Sequence, residues 1–68
     1  MKVSARNAFT GKIVDIKKGT TTAHVVIEVN GLTFTASITN ESVDDLGLKV
    51  GGAASAIIKS SDVIVAVE

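Results

Sequence analysis

The sequence predicts a small, mostly β fold, and three observations support this prediction. The chain has 68 residues, the size of one domain. Apolar and polar residues alternate on both sides of Asn30-Gly31, the strongest short-range signal for a hairpin with a two-residue turn. The other apolar runs are rich in β-branched residues, and one short segment has the features of a helix. We therefore expect a sheet with one short helix.

The first strand is predicted over residues 9–17. Ile13, Val14 and Ile16 form a β-branched run that is apolar on both faces and ends before Gly19. A strand that is apolar on both sides suggests contact with another subunit.

The hairpin is predicted over residues 23–38. With the turn at Asn30-Gly31, the expected cross-strand pairs are Val29 with Leu32, Ile27 with Phe34, Val25 with Ala36, and Ala23 with Ile38. These eight side chains share the core face. The polar residues between them, including His24, then lie on the opposite face.

The rest of the chain predicts a short helix and two more strands. Residues 40–47 contain a capping residue, early acids, an apolar pair at Val43 and Leu46, and a closing glycine. Strands are predicted at 54–59 and 63–67. Three strands, a helix and two strands fit a five-stranded OB-like barrel better than a sandwich.

Composition limits how such a chain is stabilised and where it acts. A domain of this size buries little of its surface, and with no cysteine and one histidine it gains nothing from disulfides or a structural metal, so we expect an oligomer. Seven basic residues balance seven acidic ones. Neither a signal peptide nor a membrane span is evident, which predicts a cytoplasmic protein without membrane partners.

Catalysis and direct cation binding are not expected. His24 is the only histidine, no nucleophile or phosphate-loop motif accompanies it, and it is interpreted as a solvated or interface side chain. Asp44 and Asp45 are adjacent and diverge on a helix. Single-stranded nucleic acid binding remains an alternative for an OB-like barrel, but the chain has only two aromatic residues, Phe9 and Phe34, and no net positive charge.

Three clusters of hydrogen-bond donors flank the predicted strands. They are Ser4-Ala5-Arg6-Asn7, Lys17-Lys18-Gly19-Thr20 and Lys59-Ser60-Ser61. A tetrahedral dianion offers only acceptors, so its site needs N–H and O–H donors and no carboxylates. From the residues alone, an anion site and ordinary solvated turns both remain open.

At these residues the sequence resembles the molbindins, small molybdate-binding proteins of the Mop type in the TOBE-domain family. The resemblance lies in the Ser4-Ala5-Arg6-Asn7 start, Lys18-Gly19, Leu46-Gly47 and the Lys59-Ser60-Ser61-Asp62-Val63 end, and it covers nearly the whole chain, residues 1–68, as one domain.

The resemblance implies a barrel that exchanges a strand within a dimer, with three dimers forming a hexamer. Molybdate or tungstate would bind between subunits, for intracellular molybdenum storage. The implied oxyanion-binding residues are Ser4, Ala5, Arg6, Lys59, Ser60 and Ser61, with a second oxyanion site at Lys18, Gly19 and Thr20. A purely structural oligomerisation module is the other alternative.

Overall fold

The computed structural model describes residues 2–68. The elements follow in the order β1 (Asn7–Lys18), β2 (Thr22–Val29), β3 (Leu32–Thr39), α1 (Asn40–Asp45), β4 (Ala53–Ile58) and a 3-10 helix at Ser60–Asp62. The four strands form one antiparallel sheet in the order β3-β2-β1-β4. The mostly β class with one short helix is confirmed.

The central hairpin has the predicted turn and register. Asn30 and Gly31 have φ values of 50° and 83°, the two positive angles that a type I′ turn requires. All four predicted pairs are present, from Val29 with Leu32 at the turn to Ala23 with Ile38 at the far end. The alternating polar side chains, including His24, are exposed. The register therefore follows from the turn and the period-two pattern.

A β-bulge explains why β1 appears apolar on both faces. Ile13 pairs with Ile27 and Asp15 with Val26, so Val14 is an extra residue without a partner on β2. The extra residue shifts the alternation by one. Ile13 and Ile16 consequently both face the core, while the Val14 side chain is exposed.

The core lies under the curled sheet and is closed at one end by the helix. Its buried members are Ile13, Ala23, Val25, Ile27 and Val43. Thr39 caps α1, because its hydroxyl accepts a hydrogen bond from the Ser42 amide at 3.0 Å. Gly47 ends the helical segment with φ 64°, in the left-handed region that glycine tolerates.

A glycine allows β1 to approach β2 where β1 turns toward β4. Lys12 pairs with Glu28 of β2 and with Ala53 of β4, so the two ladders meet at this residue. A Cβ on the preceding Gly11 would overlap the carbonyl oxygen of Glu28. The sharp curvature of the sheet therefore requires a residue without a side chain here.

The predicted fifth strand is wrong for the chain taken by itself. Residues 63–67 pair with no strand of residues 2–68, and Ile64, Val65 and Val67 are 91%, 86% and 92% exposed. The sheet is consequently an open half-barrel whose edges are β3 and β4. The β-branched pattern identified a strand-forming segment, but such a pattern does not specify which strand it pairs with.

An apolar depression lies between the two sheet edges, and we call it the β3–β4 groove. It consists of two adjoining concavities of about 630 and 510 Å³. Both concavities are lined by Ile27, Ala36, Ser55 and Ile57. Phe34, which lines the larger concavity, stacks on Phe9 of β1 with 5.1 Å between the ring centroids. The groove is the place where a closed barrel would have its fifth strand.

Candidate oxyanion-binding sites

The sheet brings together the first and last donor clusters, which lie far apart in sequence. Asn7 at the start of β1 pairs with Ile58 at the end of β4. The Asn7 side chain also donates to the Ile58 carbonyl at 3.2 Å, which fastens the two strand ends. Residues 4–6 immediately precede this pair, and residues 59–61 immediately follow it. We call this end of the sheet the strand-end site.

The strand-end site is rich in donors. Its polar members Ser4, Arg6, Lys59, Ser60 and Ser61 are exposed, and Ala5 is half-buried. Within residues 2–68, neither Arg6 nor Lys59 forms an ion pair, so both positive charges remain available.

The 3-10 helix after β4 orients further donors at the strand-end site. The amides of Asp62 and Val63 donate to the carbonyls of Lys59 and Ser60, at 2.9 and 3.3 Å. The Ser60 and Ser61 amides, at the start of this turn, donate to no backbone carbonyl in the described part of the chain. Free amides and hydroxyls beside the positively charged side chains of Arg6 and Lys59 suit an anion that only accepts hydrogen bonds.

The middle cluster lies at the opposite end of β1, around the turn into β2. A concavity of about 260 Å³ is present there, and we call it the β1–β2 pocket. Its lining residues are Lys17, Lys18, Gly19, Thr22 and His24. The structure thus places Lys18 and Gly19 of the predicted second site at this pocket, whereas Thr20 is not among its lining residues.

Two predicted members of the second site already have partners. The Lys18 ammonium lies 2.7 Å from a carboxylate oxygen of Asp44 on α1, an exposed ion pair. The Gly19 amide donates to the Thr22 carbonyl at 2.7 Å, and the Gly19 carbonyl accepts from the Asn40 side chain at 3.0 Å. These contacts fasten the turn to the helix but reduce what Lys18 and Gly19 offer a ligand.

Sequence reasoning included Lys17 in the middle donor cluster but not in the second site, and it missed the contributions of Thr22 and His24 to this pocket. Lys17 and His24 are direct cross-strand partners and therefore share a face of the sheet. The register of β1 on β2 would have revealed this pairing. The bulge at Val14 shifts that register, so it cannot be read from simple alternation.

Comparison with known proteins places the chain in a family. The family model described as the TOBE domain matches residues 3–65. The chain belongs to the TOBE domain family. It is 47% identical over 66 residues to molybdenum-pterin-binding protein 1 of Clostridium pasteurianum, and the match covers 96% of this chain and 97% of that protein.

Solved structures of similar proteins have the same fold. A molybdate-binding protein from Sporomusa ovata superposes with a TM-score of 0.91 at 36% identity, covering 97% of this chain and 98% of that one. The cytoplasmic molybdate-binding protein ModG, solved with molybdate bound, gives 0.90 at 43% identity, covering 94% of this chain and 46% of ModG. The resemblance to the molbindins is confirmed, and the OB-like class of the half-barrel agrees with these neighbours.

No helix of residues 2–68 is long and apolar enough to cross a membrane. Likewise, within the described residues no group of three or more histidine, cysteine, aspartate or glutamate side chains is placed to hold a metal cation.

Proposed function

We propose that the chain binds molybdate, with tungstate as the alternative anion, at the interfaces of a homo-oligomer. The observation that carries the proposal is the pairing of Asn7 with Ile58, because it unites residues 4–6 and 59–61 in one donor-rich surface. The similar protein ModG has been solved with molybdate. Molybdate is a tetrahedral dianion, so the uncompensated charges and free donors of this surface match its chemistry.

Each residue of the strand-end site has a distinct part in this proposal. The Ser4 and Ser60 hydroxyls donate hydrogen bonds to the anion, and Arg6 donates chiefly through its backbone amide. Lys59 supplies a positive charge. Ala5 and Ser61 complete the site through their backbone, since Ser61 has a free amide in the 3-10 helix. A site open to solvent in one chain gains its remaining wall from another subunit.

The second proposed oxyanion site lies at the turn between β1 and β2, where three subunits of a hexamer would meet. Lys18, Gly19 and Thr20 are its proposed residues. Lys18 would exchange its ion pair with Asp44 for one with the anion. The pair with Asp44 is exposed and therefore contributes little stability, so breaking it costs little free energy.

Strand exchange provides the assembly. The β3–β4 groove lacks a strand, and residues 63–67 expose an unpaired β-branched segment. We infer that this segment of one chain occupies the groove of a second copy, and that three such dimers form a hexamer. The exchange satisfies both unpaired sheet edges and buries apolar side chains that are otherwise in water.

Binding at subunit interfaces couples anion uptake to assembly, since a ligand that binds only the oligomer stabilises it by mass action. Reversible binding of this kind suits a cytoplasmic molybdenum store of single-domain subunits. The proposed role is binding and storage without catalysis, and without nucleic acid or membrane partners.

Calorimetric titration with molybdate in a sulfate-containing buffer, combined with light scattering, tests this function. We expect saturable binding by a hexamer-sized particle. Lys59→Ala should weaken binding by about ten- to a hundredfold, the effect of losing one charge-assisted hydrogen bond. Lys49→Ala, which removes an exposed lysine between α1 and β4, is the matched control and should bind as the unaltered protein does.

Unchanged affinity in Lys59→Ala would show that the strand-end site is wrongly assigned. An oligomer that binds neither molybdate nor tungstate would instead favour a structural assembly module. Salt-dependent retention on single-stranded nucleic acid would favour the remaining alternative.

A further inference from the structure

The strand-end site is bordered by an acid, Asp62, which is the last residue of the 3-10 helix. A fully deprotonated dianion offers only acceptors, so donors and positive charges are the groups that bind it. A carboxylate beside such an anion repels it. The proposed oxyanion-binding function therefore does not explain why an acid is present at this position.

The backbone holds Asp62 close to the donors of the site. Its amide donates to the Lys59 carbonyl at 2.9 Å, which closes one turn and brings Asp62 back beside Lys59. A 3-10 helix rises about 2 Å per residue, so the backbones of Ser60 and Asp62 are separated by about 4 Å along its axis. The aspartate side chain is short, and its carboxylate therefore lies within about 10 Å of the Ser60 amide in any rotamer.

The negative charge of Asp62 is not neutralised within the chain. Its side chain is exposed and forms no ion pair with any basic group of residues 2–68. An unpaired carboxylate at this distance repels a bound dianion directly, and it also attracts the neighbouring Lys59 ammonium away from the anion. Both effects weaken binding at the strand-end site.

We propose that Asp62 sets the affinity of the strand-end site, because its charge weakens the binding of a dianion and so favours release. This inference rests on the proposed oxyanion-binding function and adds how tightly the site holds its ligand. Arg6 and Lys59 attract the anion, whereas Asp62 opposes them with one negative charge. A store has to return its anion, and a site of moderated affinity suits that role.

Site-resolved NMR titration of the assembled protein with molybdate, in about 0.01 M and about 1 M sodium chloride, tests this proposal. The Ser60 and Ser61 amides report the strand-end site, and the Gly19 and Thr22 amides report the β1–β2 pocket. Asp62→Asn keeps the shape of the side chain but removes its charge. We expect it to tighten binding at the strand-end site about three- to tenfold at low salt and less than about twofold at high salt, where charges are screened within about 3 Å.

Two further variants serve as controls. Asp62→Glu keeps the negative charge at nearly the same place and should restore the weaker binding of the unaltered protein. Asp45→Asn removes an exposed acid of α1, which contacts the opposite end of β1, and should leave the Ser60 response unchanged.

Unchanged or weaker binding in Asp62→Asn would overturn the role of Asp62. A gain of the same size at both salt concentrations would also overturn it, because salt does not screen a change in the shape of the site. Both results leave the proposed function intact if the unaltered protein binds molybdate at Ser60 and Ser61. Binding by Asp62→Asn alone would support the role of Asp62 and overturn the function proposed for the unaltered chain. No response at Ser60 and Ser61 in either protein would overturn both proposals.

Discussion

The two sides of the half-barrel differ in how completely one chain buries them. On the closed side, Ile13 of β1 and Val25 of β2 are fully buried, with only 1% and 2% of their surface exposed. On the open side, the β3–β4 groove leaves apolar side chains at the surface, and the segment 63–67 lies in water. The same β-branched composition is used on both sides, but only the closed side finds its packing partners within the chain.

This difference indicates where the proposed assembly would bring in other copies of the chain. The β1–β2–β3 hairpins bring neighbouring segments together, so their packing is local and needs no partner. The open side has two unpaired sheet edges and an unpaired apolar strand, a combination that soluble proteins normally cover. Both proposed oxyanion sites lie at ends of β1. The closed side therefore supplies rigid support for the sites, and in the proposed assembly the open side supplies the contacts between copies.

The largest effect is expected from placing acids in the exposed segment. Ile64→Asp combined with Val65→Asp puts a carboxylate on each face of the proposed fifth strand, so burial in a partner's groove becomes unfavourable in either orientation. Light scattering should show the particle mass falling to that of one chain. Val50→Asp, at an exposed apolar residue of the loop before β4, should leave the mass unchanged. A double variant of full mass would contradict strand exchange through residues 63–67.

A smaller effect is expected from opening a cavity on the closed side. Ile13→Ala should lower the free energy of unfolding by about 2 to 5 kcal/mol, because a fully buried side chain loses its contacts. Leu32→Ala, at the exposed hairpin tip, should change it by less than about 0.5 kcal/mol. Urea unfolding followed by circular dichroism measures both. Equal losses would mean that the hairpin tip is as buried in the assembly as the core.

The smallest effect on stability is expected from releasing Lys18. Asp44→Asn removes an exposed ion pair, so the free energy of unfolding should fall by less than about 1 kcal/mol. The same change frees the ammonium of Lys18, a residue that lines the β1–β2 pocket, and molybdate affinity there should rise a few-fold. The Thr22 amide shift reports the affinity. Weaker binding in Asp44→Asn would show that the ion pair positions Lys18 for the anion.

Much of the fold could be predicted from local patterns. Asn30-Gly31 determined a type I′ turn, and the turn with period-two alternation determined all four hairpin pairs. The short helix followed from its capping chemistry and closing glycine, although Thr39 caps it just before the predicted segment. The donor clusters were also evident, because the chemistry of a dianion restricts its ligands to a few residue types.

Only the tertiary structure decided the features that depend on distant segments. The bulge at Val14 set the register that pairs Lys17 with His24, and the Asn7–Ile58 pair joined the two ends of the strand-end site. The pairing of Lys18 with Asp44 likewise needed α1 in place. The sequence by itself determined which segments form strands, because strand formation depends on nearby side chains. It left open whether and where residues 63–67 pair, because pairing depends on which strand edges the tertiary structure leaves free.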